Sequence, residues 1–201
     1  ERLVIEFWKE VAKKHNIPNV EHTCIQCLGT NRVRTREIFL ENYGADFPFD
    51  PYRAEVTELF NTHYKGVPLP TKPGVRELLS YLQEQDIKVG LASSTAQHLV
   101  RDEIGTAGLL PYFQTLVCGD MVEHSKPAPD IFLKACEILN ADPTKSIAIE
   151  DSFNGIRSAH CAGMTPIMVP DQVQPTDEIR ALAFHVMPSL LDVLNWLKTL
   201  A

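Results

Sequence analysis

Ser146-Ile147-Ala148-Ile149-Glu150-Asp151-Ser152, with Asn154-Gly155-Ile156 close behind, is the stretch whose reading decides the fold. The four-residue segment 146–149, with three consecutive apolar residues, is short enough for a buried strand. Two adjacent acids come next, and a helical pattern follows at once. The same grammar recurs on either side. Short apolar segments at 88–92, 115–118 and 166–169, with a weaker one at 184–186, alternate with helical segments. One of these helices opens at Pro73-Gly74 and runs to about Gln85; the last spans 189–200. Strands alternating with helices imply βαβ units, and hence a parallel sheet covered on both faces. Such sheets bind ligands beyond the carboxyl ends of their strands, so the residues just after each strand are the ones to inspect.

Upstream the pattern is different. Residues 1 to about 65 read as helices alone, at 1–15, 20–28, 31–43 and 50–65, broken at Asn16-Ile17-Pro18, Gly29-Thr30 and the Gly44–Pro51 stretch. The expected architecture is therefore α/β, a Rossmann-like core over 66–201 with an all-helical domain over 1–65. Leu3, Val4, Phe7, Trp8 and Val11 recur at helical spacing directly after Glu1, which is not a methionine, so a preceding segment is expected.

Composition narrows the function. The 201 residues are 44% hydrophobic and 22% charged, with a net charge of −7, which argues against a nucleic-acid surface. No apolar run is long enough to span a bilayer, and no signal segment opens the chain, so no membrane partner is expected. Five scattered cysteines suit a reduced, cytoplasmic protein, expected as a monomer or weak homo-oligomer. Cys24 and Cys27 form a C-x-x-C within a helical stretch and without a second ligand pair, which reads as two ordinary thiols.

Three strand ends carry candidate chemistry. Ser93, Ser94 and Thr95 follow the first strand and could donate to a phosphate oxygen with help from the next helix's amino end; taken alone they read better as a plain helix cap. After the second strand come Gly119-Asp120 and then Ser125-Lys126-Pro127-Ala128-Pro129-Asp130. Here a proline-stiffened Lys126 could neutralise a phosphate, the alternative being a solvated loop lysine, and Asp130 is placed to cap the following helix. Glu150 and Asp151 end the third strand. Two buried acids need a positive partner, and Mg²⁺ accepts one or two carboxylates together with substrate phosphate. The alternative is an Asp151 helix cap beside a solvated Glu150.

Taken in order, Leu91-Ala92-Ser93-Ser94-Thr95, Ser125-Lys126-Pro127-Ala128-Pro129-Asp130 and Ile149-Glu150-Asp151-Ser152 resemble motifs II, III and IV of the haloacid dehalogenase superfamily, nearest its beta-phosphoglucomutase-like branch. By that resemblance, 1–65 is a helical cap inserted after the first strand of the core. Ser93 binds the transferring phosphoryl group, Lys126 holds it beside the nucleophile, and Glu150 and Asp151 hold Mg²⁺ directly or through water. The cap turn Gly29-Thr30-Asn31-Arg32 would present a substrate contact, with Arg32, Arg34 and Arg36 the candidates for an anionic group and a solvated helix face the alternative for at least two of them; Ser94 and Gln97 are further candidate contacts. The resemblance implies a phosphatase of a small phosphorylated metabolite, such as a sugar phosphate, acting through an aspartyl phosphate. A phosphosugar mutase is the alternative. Mutase relatives commonly carry a lysine near the position of Ala96, which favours the phosphatase. An inactive binding or regulatory protein is the alternative of another class.

One departure stands out. The family's Asp-x-Asp nucleophile motif, at the end of the first, central strand, has no counterpart here. Asp46 and Asp50 lie in the cap and Asp171 follows the strand ending at Val169, so none replaces it. The strands at 88–92 and 146–149 would then face each other with unpaired edges. The expectation is that a segment ahead of Glu1 supplies the strand and its nucleophile, and that residues 1–201 alone are inactive.

Overall fold

The structure is a computed structural model that describes residues 2–64, 66–67 and 69–200. Glu1, Lys65, Pro68 and Ala201, together with the side chains of Arg2 and Leu3, lie outside the described residues. Four helices come first: α1 (Arg2–Lys14), α2 (Val20–Cys27), α3 (Arg32–Tyr43) and α4 (Phe49–Tyr64). On α1 the buried stripe is Ile5, Phe7, Trp8, Val11 and Ala12, whereas Val4, expected on that face, is exposed. Trp8 gathers the aromatic centre of the bundle, with ring centroids 4.8 Å from Phe39, 5.2 Å from Tyr52 and 6.1 Å from Phe49. The Tyr52 hydroxyl donates to the Trp8 carbonyl at 2.6 Å, so this apolar contact also carries a satisfied polar group. The same cluster continues into Ile156, Met168, Val173 and Ile179 from the second half of the chain.

That half alternates strand and helix: α5 (Val75–Glu84), β1 (Gly90–Ser93), α6 (Gln97–Thr106), β2 (Thr115–Cys118), α7 (Asp130–Leu139), β3 (Ile147–Glu150), α8 (Phe153–Cys161), β4 (Thr165–Met168), α9 (Asp177–Leu182), β5 (His185–Val186) and α10 (Leu190–Lys198). Every strand pair is parallel. The α/β architecture read from the sequence is thus observed, with short shifts at strand ends. β1 begins later than expected because the Gln114 side chain, not a neighbouring strand, accepts the Val89 N–H at 2.6 Å. β3 starts at Ile147 because the Ser146 hydroxyl turns back to the Asp142 carbonyl at 2.7 Å. The shift matters: Ser93 and Glu150 become the last residues of their strands rather than the first residues after them.

The strands form two groups, β1-β2 and β3-β4-β5. Among the described residues β1 and β3 each have a single strand neighbour. Outer strands of a parallel sheet are ordinarily less covered than inner ones. Here β2 and β4 are largely buried, while β1 and β3, flanking the division, are only partly so. β1 and β3 therefore leave free ladder edges of the kind that another strand pairs with.

Phe39 has no exposed surface. Phe39→Ala is expected to lower unfolding free energy by about 3–5 kcal/mol, the range for emptying a large core site. Urea titration checks it, and a loss below about 1 kcal/mol would mean the aromatic centre is not packed as described.

Candidate active site

Three strand-end loops and one turn of the helical region converge. Ser93 closes β1, and its Oγ accepts the Thr95 N–H at 3.2 Å, which turns the chain toward α6. The next hydroxyl, Ser94, donates to the Gly29 carbonyl at 2.7 Å and so is committed to the turn between α2 and α3. The amino end of α6 is already met by a carboxylate, since the Gln97 N–H donates to Asp120 at 3.0 Å. Asp120, which follows β2, is a residue whose role the sequence left unread. Its position is dictated by Gly119, where any Cβ would overlap the Ser94 carbonyl.

Lys126 is buried, at 4% exposure, rather than a solvated loop lysine. Its ammonium pairs with Glu150, donates to the Ala92 carbonyl at 3.3 Å and lies 4.9 Å from the centre of the Phe132 ring. The Lys126 and Glu150 side chains are 5% and 9% exposed, so the pair is almost fully dehydrated. The other Glu150 oxygen accepts the Ser152 hydroxyl at 3.3 Å. Gly155 leaves the room this carboxylate needs: a side chain there would collide with it. The loop that delivers Lys126 is held by Asp130, but not as a helix cap. Pro129 occupies that position, and the Asp130 carboxylate accepts the His124 backbone N–H at 3.2 Å and meets its Nδ1 at 2.9 Å. The His124 side-chain bond holds the Asp130 carboxyl below the usual carboxylate range.

Successive residues of an extended chain point to opposite sides, and the acidic pair is divided accordingly. Glu150 turns to Lys126, whereas Asp151 meets the Lys72 ammonium at 3.0 Å, which also lies 3.5 Å from Asp171. Asp151 does not cap α8; Ser152 does, accepting the Gly155 N–H at 3.0 Å. Among the described residues no group of three or more His, Cys, Asp or Glu side chains is gathered to hold a metal. The donor chemistry nevertheless suits Mg²⁺ at Asp151, a partly exposed hard-oxygen ligand, with Glu150 one residue away, its oxygens engaged by Lys126 and Ser152.

Arg32 lies at the start of α3 and pairs with Asp50 at 2.8 Å. Arg36 reaches the same carboxylate at 3.8 Å. A groove of about 610 Å³ is lined by Arg32, Asp50, Arg53, Thr57, Glu58 and Asn61. Burial, with Arg32 adding to it, pulls the Arg53 guanidinium below its usual range. Arg34 is elsewhere, paired with Glu37 and Glu41 at 2.9 and 2.8 Å. The Cys24 and Cys27 thiols are pushed up to about 12, chiefly by burial, which fits unreactive thiols. No helix among the described residues is long and apolar enough to cross a membrane.

A family model described as haloacid dehalogenase-like hydrolase matches residues 1–169. The chain belongs to that family. Haloacid dehalogenase-like relatives include a phosphorylated carbohydrates phosphatase of Thermotoga maritima, 30% identical over 167 residues, covering 83% of this chain and 77% of the relative. The beta-phosphoglucomutase of Bacillus subtilis is 33% identical over 178 residues, covering 84% and 76%. Hexitol phosphatase B of Escherichia coli is 33% identical over 124 residues, and the match spans 62% of this chain but only 56% of that enzyme. The fold matches the crystal structure of beta-phosphoglucomutase from Clostridium difficile with a TM-score of 0.81 at 21% identity, over 98% of this chain and 89% of the other.

The Lys126–Glu150 pair makes a sharp energetic forecast. Lys126→Met strands a buried carboxylate and is expected to cost about 3–5 kcal/mol of stability, whereas adding Glu150→Leu recovers most of it. Equal losses in the single and double variants, read by urea denaturation, would contradict the pairing.

Proposed function

We propose that this haloacid dehalogenase-like protein is a phosphohydrolase of small phosphorylated metabolites, most simply sugar phosphates, working through an aspartyl phosphate. The observation that carries the reading is the buried Lys126 brought against Glu150 at the end of β3 and the Ala92 carbonyl of β1, with Ser93 and Asp151 the adjoining residues. The relatives support it, since two of the three named above are phosphatases of phosphorylated carbohydrates or hexitols by name.

In this reading the nucleophilic aspartate sits on a further parallel strand seated between β1 and β3, each of which has a single strand neighbour among the described residues. Lys126, already dehydrated, offers a fixed positive charge at the mouth of that slot, where a phosphoryl group and an attacking carboxylate would meet. Ser93 donates from its hydroxyl to an equatorial oxygen. A carboxylate nucleophile divides the reaction into transfer to the protein and hydrolysis of the acyl phosphate. Asp151 would hold Mg²⁺, with Glu150 linked through water, and the ion would offset charge on the phosphoryl oxygens. On the helical region, Arg32 and Arg53 line a groove whose cations would suit an anionic part of the substrate if it reaches that far. That groove also suits a mutase holding a second phosphate, as the Bacillus relative's name would suggest; Ala96 weighs toward hydrolysis.

The test is inorganic phosphate release, with Mg²⁺, from a panel of hexose, pentose and hexitol phosphates by the natural full-length protein, alongside residues 1–201 expressed alone. Release by the former and none by the latter is expected. Asp151→Asn should lower kcat roughly 100- to 1,000-fold, the scale for losing a group that stabilises transition-state charge. Isomerised product without phosphate release would favour the mutase. Neither product from any substrate would overturn the enzymatic reading.

A further inference from the structure

The turn between α2 and α3 is fastened to the rest of the molecule at three points, each beyond a different strand: two in the loops after β1 and β2, and one in the first turn of α8. The Asn154 side-chain amide, beyond β3, donates to the Leu28 carbonyl at 2.8 Å. The Ser94 hydroxyl, beyond β1, donates to the Gly29 carbonyl at 2.7 Å. Ser125, beyond β2, accepts the Asn31 N–H at 2.8 Å. The turn is braced internally as well. The Thr30 hydroxyl donates to the Cys27 carbonyl at 2.8 Å, and the Asn31 side chain accepts the Arg34 N–H at 3.0 Å. Gly29, at φ 76°, approaches so closely that a Cβ would strike the Ser152 side chain.

The fastening residues interleave with the candidate chemistry. Ser94 follows Ser93, Ser125 precedes Lys126, and Asn154 stands three residues after Asp151. Backbone groups at a partly buried contact need partners, and here Leu28, Gly29 and Asn31 take theirs from residues beyond the three strands whose ends would surround a phosphoryl group.

The geometry points to Ser94, Ser125 and Asn154 as a three-point latch: positioning residues that set the helical cap's turn, and Arg32 beside it, in register with the strand-end loops as one cooperative unit. The latch rests on these contacts alone; its use in orienting a substrate's leaving group rests on the phosphohydrolase reading above. A latch differs from three independent hydrogen bonds in one respect. Releasing any point loosens the others, including groups the altered residue never touches.

Amide hydrogen exchange on the substrate-free protein separates these cases without any assay of activity. Ser125→Ala removes the acceptor of the Asn31 N–H and should speed its exchange directly. Asn154→Ala and Ser94→Ala do not touch that N–H. Each should nevertheless speed its exchange, by roughly 2- to 10-fold, the population change expected from one net hydrogen bond. Amides in the middle of α7, remote from the turn, should keep their wild-type rates. The latch is overturned if Asn31 exchanges at the wild-type rate in both remote variants. It is equally overturned if α7 loosens in parallel, because the effect would then be general loss of stability. If the latch holds while no substrate is turned over, the phosphohydrolase reading fails and the positioning role stands.

Discussion

The Lys126–Glu150 pair is the constraint on which the rest of the site depends. Two opposite charges with 5% and 9% of their side-chain surface exposed have given up nearly all their hydration. Such a pair is tolerable only when every remaining proton and lone pair is answered. Here the answers come from three separate elements: the Ala92 carbonyl in β1, the Phe132 ring on α7 and the Ser152 hydroxyl ahead of α8. Among the described residues no buried side-chain nitrogen or oxygen lacks a hydrogen-bond partner. Satisfying the pair therefore fixes where β1, α7 and β3 stand relative to one another, even though β1 and β3 belong to separate strand groups.

The same pair explains why the adjacent acids have separate duties. Glu150 is held in the interior as the partner of a cation, and the reversal of direction along an extended chain sends Asp151 outward to Lys72. Glu150 is held by a buried cation, whereas Asp151 is partly exposed and paired with Lys72. The helical region takes its position from this frame, through the contacts of Leu28, Gly29 and Asn31 with Asn154 on α8 and with Ser94 and Ser125 in the loops after β1 and β2.

Much of this was legible in the sequence. Short apolar runs at 88–92, 115–118 and 146–149 announce parallel strands, and the hydroxyls, lysine and acids after them mark the residues to inspect. What the sequence could not give was pairing across distance. Lys126 finds Glu150 24 positions away, and Asn154 finds Leu28 126 positions away. No local periodicity encodes such meetings. The roles of Asp120 and Asp130 were hidden for a related reason: a short acid near a helix start can cap its own helix or serve another, and tertiary packing decides. Val4 fell on the wrong side because apolar residues at positions 3, 4, 5, 7 and 8 leave the buried stripe of α1 underdetermined until α4 packs against it. By contrast Gly155, read only as a helix opener, has a reason visible in the fold, the space occupied by the Glu150 carboxylate.

The most direct measurement of the central claim is a crystal structure of the protein soaked with Mg²⁺ and tungstate, a mimic of the phosphoryl group. The account places the oxyanion within hydrogen-bonding distance of Ser93 Oγ and Lys126 Nζ, with the cation on Asp151 and the Lys126–Glu150 pair intact. An oxyanion bound elsewhere, with Ser93 and Lys126 uncontacted, would contradict it.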